Sequence, residues 1–243
     1  MKSNMILVKL GGGLIAPKEW EEETADIAVI KRLVKEIKDS RKRALVVSGS
    51  GNFGHKAAKK YGIETSKGVE KVRRSAKKIG EIVTSEMKNA GFDARLVETH
   101  KFFQLNQKLN LEKTLVFYGD VVEINKNKWT IYSGEKIISL LVPTLIERGV
   151  KIDKIIQVSK EQGVWDSRKK IIPEINSRNW GKIRKDVFGS EGVDMTGGML
   201  HKVEESLEIA QKYNLKTYIV GGKSAGRLGE ILKNDKVTGT LIY

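Results

Sequence analysis

Met5-Ile6-Leu7-Val8-Lys9-Leu10-Gly11-Gly12-Gly13 is an apolar run interrupted by one lysine and closed by three glycines. A run this short is below ordinary helix length and reads as a buried strand entering a loop tight enough to lie against a phosphate. The arrangement recurs at 44–47, where a second short apolar run leads into Ser48-Gly49-Ser50-Gly51. Between the two, Asp26 is placed to cap a helix whose apolar positions Ile27, Ile30, Val34 and Ile37 share one face. Strand, loop, helix, strand, loop is the order of a parallel sheet.

The alternation continues outward from these two loops. The spacing predicts a long helix over 69–89 stopped by Gly91, a strand over 94–97, a strand over 115–118, and a hairpin over 121–132 turning at Asn125-Lys126-Asn127. Helices follow over 137–146 and 199–213, with strands over 154–158 and 216–220 and a closing strand over 237–243. The expected fold class is therefore α/β, a three-layer α/β/α sandwich on a mainly parallel central sheet, in one domain over 1–243. The irregular segment 166–193 is expected to carry loops beside a nucleotide site.

Composition narrows the function. Hydrophobic residues make up 40% of the 243 positions and charged residues 31%, which suits a globular chain with a continuous core. The absence of cysteine excludes disulfides, thiolate metal sites and cysteine nucleophiles, and leaves three histidines for imidazole chemistry. No apolar run approaches the roughly 20 residues of a membrane span, and Met1-Lys2-Ser3-Asn4 opens directly onto a strand, so a soluble cytoplasmic protein without membrane attachment is expected. The formal charge of +15 is compatible with nucleic acid or phosphate-bearing partners. Its even spread, outside clusters at 31–43 and 67–78, fits the crowded surface of a heat-adapted protein better, and no recognition helix, zinc module or stacking-aromatic motif accompanies it.

Ligands of an open parallel sheet bind beyond the strand C-termini. Gly11, Gly12 and Gly13, the loop from Gly49 to Gly54, Gly119, Gly134, and Gly197 with Gly198 all fall near that predicted edge. Bare backbone amides there can approach phosphate oxygens. Neither a Walker A pattern nor a dinucleotide fingerprint is present, so a nucleotide is held another way. Lys9 lies inside a buried strand and must find a charge partner, while Lys202 follows Thr196-Gly197-Gly198-Met199 in a helix that this motif opens, one turn in. Two such ammonium groups suit a transferring phosphoryl group. His55, after Asn52-Phe53-Gly54, can hydrogen-bond a substrate phosphate; His100 and His201 are read as structural.

Taken together these motifs resemble the isopentenyl phosphate kinases of archaeal type, within the amino acid kinase superfamily, over nearly the whole chain. The segments carrying the resemblance are Lys9-Leu10-Gly11-Gly12-Gly13 with Lys18, Gly49-Ser50-Gly51-Asn52-Phe53-Gly54-His55 with Tyr61-Gly62, Tyr118-Gly119-Asp120-Val121-Val122, Tyr132-Ser133-Gly134, and Asp194-Met195-Thr196-Gly197-Gly198-Met199 with Lys202. The resemblance implies ATP-dependent transfer of the γ-phosphoryl group to isopentenyl phosphate, with Mg²⁺ carried on the nucleotide and no protein-held metal. Lys9, His55, Glu135 and Lys202 would be catalytic. Lys18, Ser50, Gly51, Gly54, His55 and Gly134 would hold the acceptor, with the acceptor part at about 1–150. ATP would be held by Lys9, Gly11, Gly12, Gly13, Gly51, Lys160, Trp165, Thr196, Gly197, Gly198 and Lys202, with the nucleotide part at about 151–243. A homodimer is also implied.

The chain departs from the family pattern in places. Ser48 replaces the histidine that opens the second loop, and Gly13 and Asn52 replace serines. Glu135 replaces an aspartate that orients the two lysines, and Ser159-Lys160-Glu161-Gln162-Gly163-Val164-Trp165 replaces a run with two aspartates beside the nucleotide. Alternative readings are a kinase for another small phosphate or phosphonate such as fosfomycin, and a non-catalytic regulatory paralogue; glutamate 5-kinase and acetylglutamate kinase fit Phe53-Gly54-His55 less well. The acceptor's tail is expected against the helix over 69–87 and near Phe102-Phe103.

Overall fold

A computed structural model describes residues 4–105, 107–187, 195–234 and 238–243; in the first turn of the helix from Met195, at 195–197, it describes the backbone only. The elements in chain order are β1 (Met5–Leu10), α1 (Gly12–Ile15), α2 (Ile27–Asp39), β2 (Arg43–Ser48), α3 (Gly51–Tyr61), α4 (Ser66–Asn89), β3 (Ala94–Leu96), α5 (Thr99–Leu105), β4 (Thr114–Tyr118), β5 (Asp120–Asn125) and β6 (Lys128–Tyr132). They continue with α6 (Gly134–Glu147), β7 (Ile152–Ser159), β8 (Glu174–Ile175), α7 (Ser177–Ile183), α8 (Met195–Tyr213), β9 (Thr217–Gly221), α9 (Arg227–Lys233) and β10 (Gly239–Ile242).

Eight strands form one sheet in the order β3-β4-β2-β1-β7-β9-β10-β8, and β5 with β6 form a separate hairpin. All pairings in the large sheet are parallel except β9 with β10. β1 lies between β2 and β7, so its loop opens at the middle of the sheet's C-terminal edge.

Side chains alternate across a strand, and β1 divides them between two cores. Ile6, Val8 and Leu10 join the cluster beneath α2, α4 and α9. Met5 and Leu7 join the opposite cluster beneath α6. A third cluster joins α8 to β9, β10 and the 164–187 region. These faces give the three layers expected from the strand–helix alternation.

Several local expectations change. Asp26 does cap α2, its side chain accepting from the Val29 amide, but Ile27 is exposed and the buried face is Ile30, Leu33, Val34 and Ile37. The segment expected to carry loops also holds β8 and α7, the latter opened by a capping box between Asn176 and Asn179. The closing strand runs antiparallel to β9, where Thr240 Oγ1 accepts from the Val164 amide and donates to the Ile172 carbonyl. Among the described residues no helix is long and apolar enough to cross a membrane.

Candidate active site

Period-2 alternation puts Lys9 on the same face of β1 as Met5 and Leu7, the face covered by α6. Ser133 caps α6 by accepting from the Lys136 amide, which sets Glu135 in the first turn. The result is an ion pair of 2.5 Å between Lys9 Nζ and Glu135 Oε1, with both side chains largely shielded. Lys202 comes from α8, which packs on α6, and it too is buried, at 9% exposure. It sits seven residues beyond Met195, two turns into the helix and not one. Its ammonium reaches Ser159 Oγ at 3.4 Å, at the end of β7. Lys202 is therefore not a solvated surface lysine of the helix.

The charges are coupled. Burial raises the Glu135 carboxyl, but the charges of Lys9 and Lys202 outweigh it and bring the group down to about 2. Burial, and after it the charge of Lys9, push the Lys202 ammonium down to about 8, against the opposing pull of Glu135 and Glu161. Lys9 and Lys202 share the buried Glu135 carboxylate, and Glu161 is the other acidic group that acts on Lys202, so two ammonium groups are held close together largely out of water. Such a site is completed by an anion.

The glycine loops meet around this cluster. A Cβ on Gly12 would fall 2.4 Å from the Gly51 nitrogen, so the first two loops can touch only as bare backbone. Gly51 itself adopts φ +48, and a side chain there would lie 2.1 Å from the Ala16 carbonyl. Asn52, a departure from the family serine, is wholly buried: its side chain donates to the Pro17 and Thr24 carbonyls and accepts from the Thr24 amide. That side chain pins the segment bearing Lys18 against α3.

A cavity of about 310 Å³ opens at this edge. Lys9, Glu135, Lys202, Gly198 and Gly134 line one part, and Lys18, Ser50, Gly51, Gly54 and His55 another. Gly12 and Gly13 also face it. The remaining wall is apolar, from Val72 and Ala76 of α4 and Val121, Ile131 and Tyr132 of the hairpin.

Not all expected residues converge. Gly11 packs on β7, a Cβ there falling 2.8 Å from the Val158 carbonyl, and it does not line the cavity. Lys160 lies outside the cavity lining and ion-pairs with Glu19 at 3.0 Å. Trp165 also lies outside it, bridged to Ile171. Thr196 and Gly197 fall in the first turn of α8, and Asp194 lies outside the described residues. Phe102 and Phe103 do not form the apolar wall; they stack edge-on with each other, Phe117 and Tyr132. The hairpin takes their place because it folds back over α4.

Besides the hairpin's apolar wall, two titratable cavity residues escaped the sequence reading. His201, read as structural, is exposed at the cavity beside Lys202; its position next to a candidate lysine was the available signal. Asp120 is 2% exposed, lines the cavity, and accepts from the His100 amide at 3.1 Å and the Val121 amide at 2.9 Å, with His100 Nδ1 at 2.8 Å. His100, read as structural, is tied to that carboxylate.

Among known proteins, the model of the amino acid kinase family matches residues 4–221. The chain is 26% identical to the isopentenyl phosphate kinase of Methanocaldococcus jannaschii, with 98% of each chain covered. It is also 26% identical to that of Methanothermobacter thermautotrophicus at the same coverage. A solved isopentenyl phosphate kinase superposes with a TM-score of 0.78 at 22% identity, covering 98% of this chain and 100% of that one. The family match spans both glycine loops and the strands and helices that carry the two buried lysines, and this chain belongs to the amino acid kinase family.

Proposed function

We propose that this protein transfers the γ-phosphoryl group of ATP to isopentenyl phosphate, giving isopentenyl diphosphate and ADP. The observation that carries the reading is that one cavity joins a shielded two-lysine cluster, His55 of α3 with Lys18, and an apolar wall. A ligand with a short hydrocarbon tail and a phosphate head matches that order of surfaces.

In this reading Lys9 and Lys202 neutralise the β- and γ-phosphates, and Glu135 holds the two ammonium groups apart and in place. His55, with Lys18 and the start of α3 at Ser50, Gly51 and Gly54, binds the acceptor phosphate. Gly134 lets α6 approach Lys9 closely. Val72, Ala76, Val121, Ile131 and Tyr132 take the tail. An acceptor phosphate oxygen attacks the γ-phosphorus while the bond to the ADP oxygen breaks; the attacking oxygen is already anionic and needs no strong base. Mg²⁺ carried on the nucleotide would supply further charge screening of its phosphates beside Lys9 and Lys202. The acceptor is held by the part up to about residue 150 and the nucleotide by the rest, with Gly12, Gly13, Gly51, Thr196, Gly197 and Gly198 along the phosphates. Lys160 and Trp165 reach a nucleotide only by leaving their present contacts. The working unit is a homodimer, which light scattering on the purified protein checks.

The test is ADP release from Mg-ATP with isopentenyl phosphate, dimethylallyl phosphate and fosfomycin supplied separately. Turnover is expected with isopentenyl phosphate and is expected to disappear in His55→Ala and Lys202→Ala. No turnover with any acceptor, together with no ATP binding by calorimetry, would overturn the proposal in favour of a non-catalytic role.

A further inference from the structure

Gln157 of β7 and Ser206 of α8 line no part of the cavity, yet both are polar and buried, at 3% and 0% exposure. Gln157 stands opposite Lys9 in the parallel register of β7 with β1, so the two side chains share a face of the sheet. Ser206 lies one turn beyond Lys202 on α8 and donates its one proton to the Lys202 carbonyl at 2.6 Å. With no proton left, the hydroxyl can only accept, and it takes Gln157 Nε2 at 3.0 Å. That fixes which way the amide points: among the described residues Gln157 Oε1 has no donor, and it is shut off from water.

The turn of α8 that follows Lys202 is held from two sides at adjacent residues. Glu205 accepts from the Ser139 hydroxyl of α6, the helix that carries Glu135, with Lys136 of the same helix at 4.0 Å. Ser206 is held by β7, the strand beside β1. The Lys202 ammonium meets Ser159, two residues beyond Gln157 on the same face of β7. The place and rotation of α8 are therefore set against the elements that carry or adjoin the charged neighbours of Lys202. Stability alone does not account for the Gln157–Ser206 pair. A buried amide with an unmet acceptor costs free energy, and replacing both partners by apolar groups of similar shape is nearly neutral or stabilising.

We propose that Gln157 and Ser206 are positioning residues for phosphoryl transfer: their hydrogen bond fixes the turn of α8 that bears Lys202, and with it the place of the ammonium beside Lys9 and Glu135. The consequence for rate rests on the kinase reading; the placement of Lys202 does not. Neither residue touches a substrate, and both act through the lysine. Loss of the pair leaves the fold intact and lets the ammonium drift by a fraction of a turn.

The test is the double variant Gln157→Met, Ser206→Ala in the full chain. Its Tm is expected to hold or rise. Its kcat is expected to fall about 10–10²-fold, up to the scale of a 1 Å misplacement, while KM for isopentenyl phosphate stays unchanged because His55 and Lys18 lie on other elements. The Lys202 side chain, followed by NMR of ¹³C-lysine-labelled protein and assigned with Lys202→Met, is expected to titrate above its present value of about 8, since an ammonium that moves toward water and away from Lys9 holds its proton more firmly. A purely structural pair would lower Tm and leave both the Lys202 titration and kcat in place, which overturns the assignment. An unmoved titration overturns it whatever the rate, and so does a moved titration with full kcat. Should the unsubstituted chain turn over no acceptor, the kinase reading falls and the Lys202 titration still decides the positioning. Should the double variant fail to fold, Ser206→Ala is read in its place.

Discussion

A lysine buried beside another lysine holds its proton weakly, and Lys202 does so only with help from Glu135 and Glu161. If the cationic form is the one that binds phosphate, kcat/KM for Mg-ATP falls as pH rises through about 8. Removing a negative neighbour lowers an ammonium pKa further, so Glu135→Gln is expected to shift that fall to lower pH, read from a pH–rate profile. Lys202→Met should lower kcat by about 10²–10³-fold while circular dichroism stays unchanged, since the loss of a buried charge does not destabilise α8. At this scale the sequence was informative where chemistry forced a partner. Lys9 could be singled out because a lysine in a buried strand needs a counter-charge, and Glu135 supplies it at 2.5 Å. Asp120 could not, because nothing local distinguishes an aspartate buried against His100 from one at a hairpin's start.

Among elements, the first turn of α6 is set against β1 so closely that a Cβ on Gly134 would lie 2.6 Å from Lys9 Cε. The obstructing atom is the far end of a flexible side chain. Gly134→Ala is therefore expected to fold with little change in Tm but to displace the ammonium, lowering kcat by about 10²-fold, the scale of a 1 Å misplacement. Gly51→Ala differs in kind: its positive φ alone costs about 1–3 kcal/mol, and the new atom strikes the Ala16 backbone, so denaturant unfolding should report a loss beyond that range. Helices with clean periodicity, α2, α4 and α8, were legible before the fold was known. α5, α7 and α9 were not, each being seven residues long and shaped by contacts distant in sequence, such as the Glu36 carboxylate that accepts from the Gly226 and Gly229 amides ahead of and within α9.

For the molecule as a whole, the net charge of +15 surrounds a cavity whose proposed ligands are all anions. Encounter with such ligands is steered over about a Debye length, roughly 8 Å at physiological salt. Raising ionic strength should lower kcat/KM with kcat nearly unchanged, measured across a sodium chloride series. The three-layer sandwich followed from strand–helix order alone, yet the antiparallel return of β10 and its pairing with β8 did not, because a short terminal run carries no mark of its direction. β1, by contrast, is held by a neighbour on either side and covered on both faces. Deuterium exchange at the amides of residues 5–10 then requires the whole molecule to open. The protection measured there should equal the global unfolding free energy, and Lys9, the lysine proposed to meet the nucleotide, would be the last part of the site to yield to solvent.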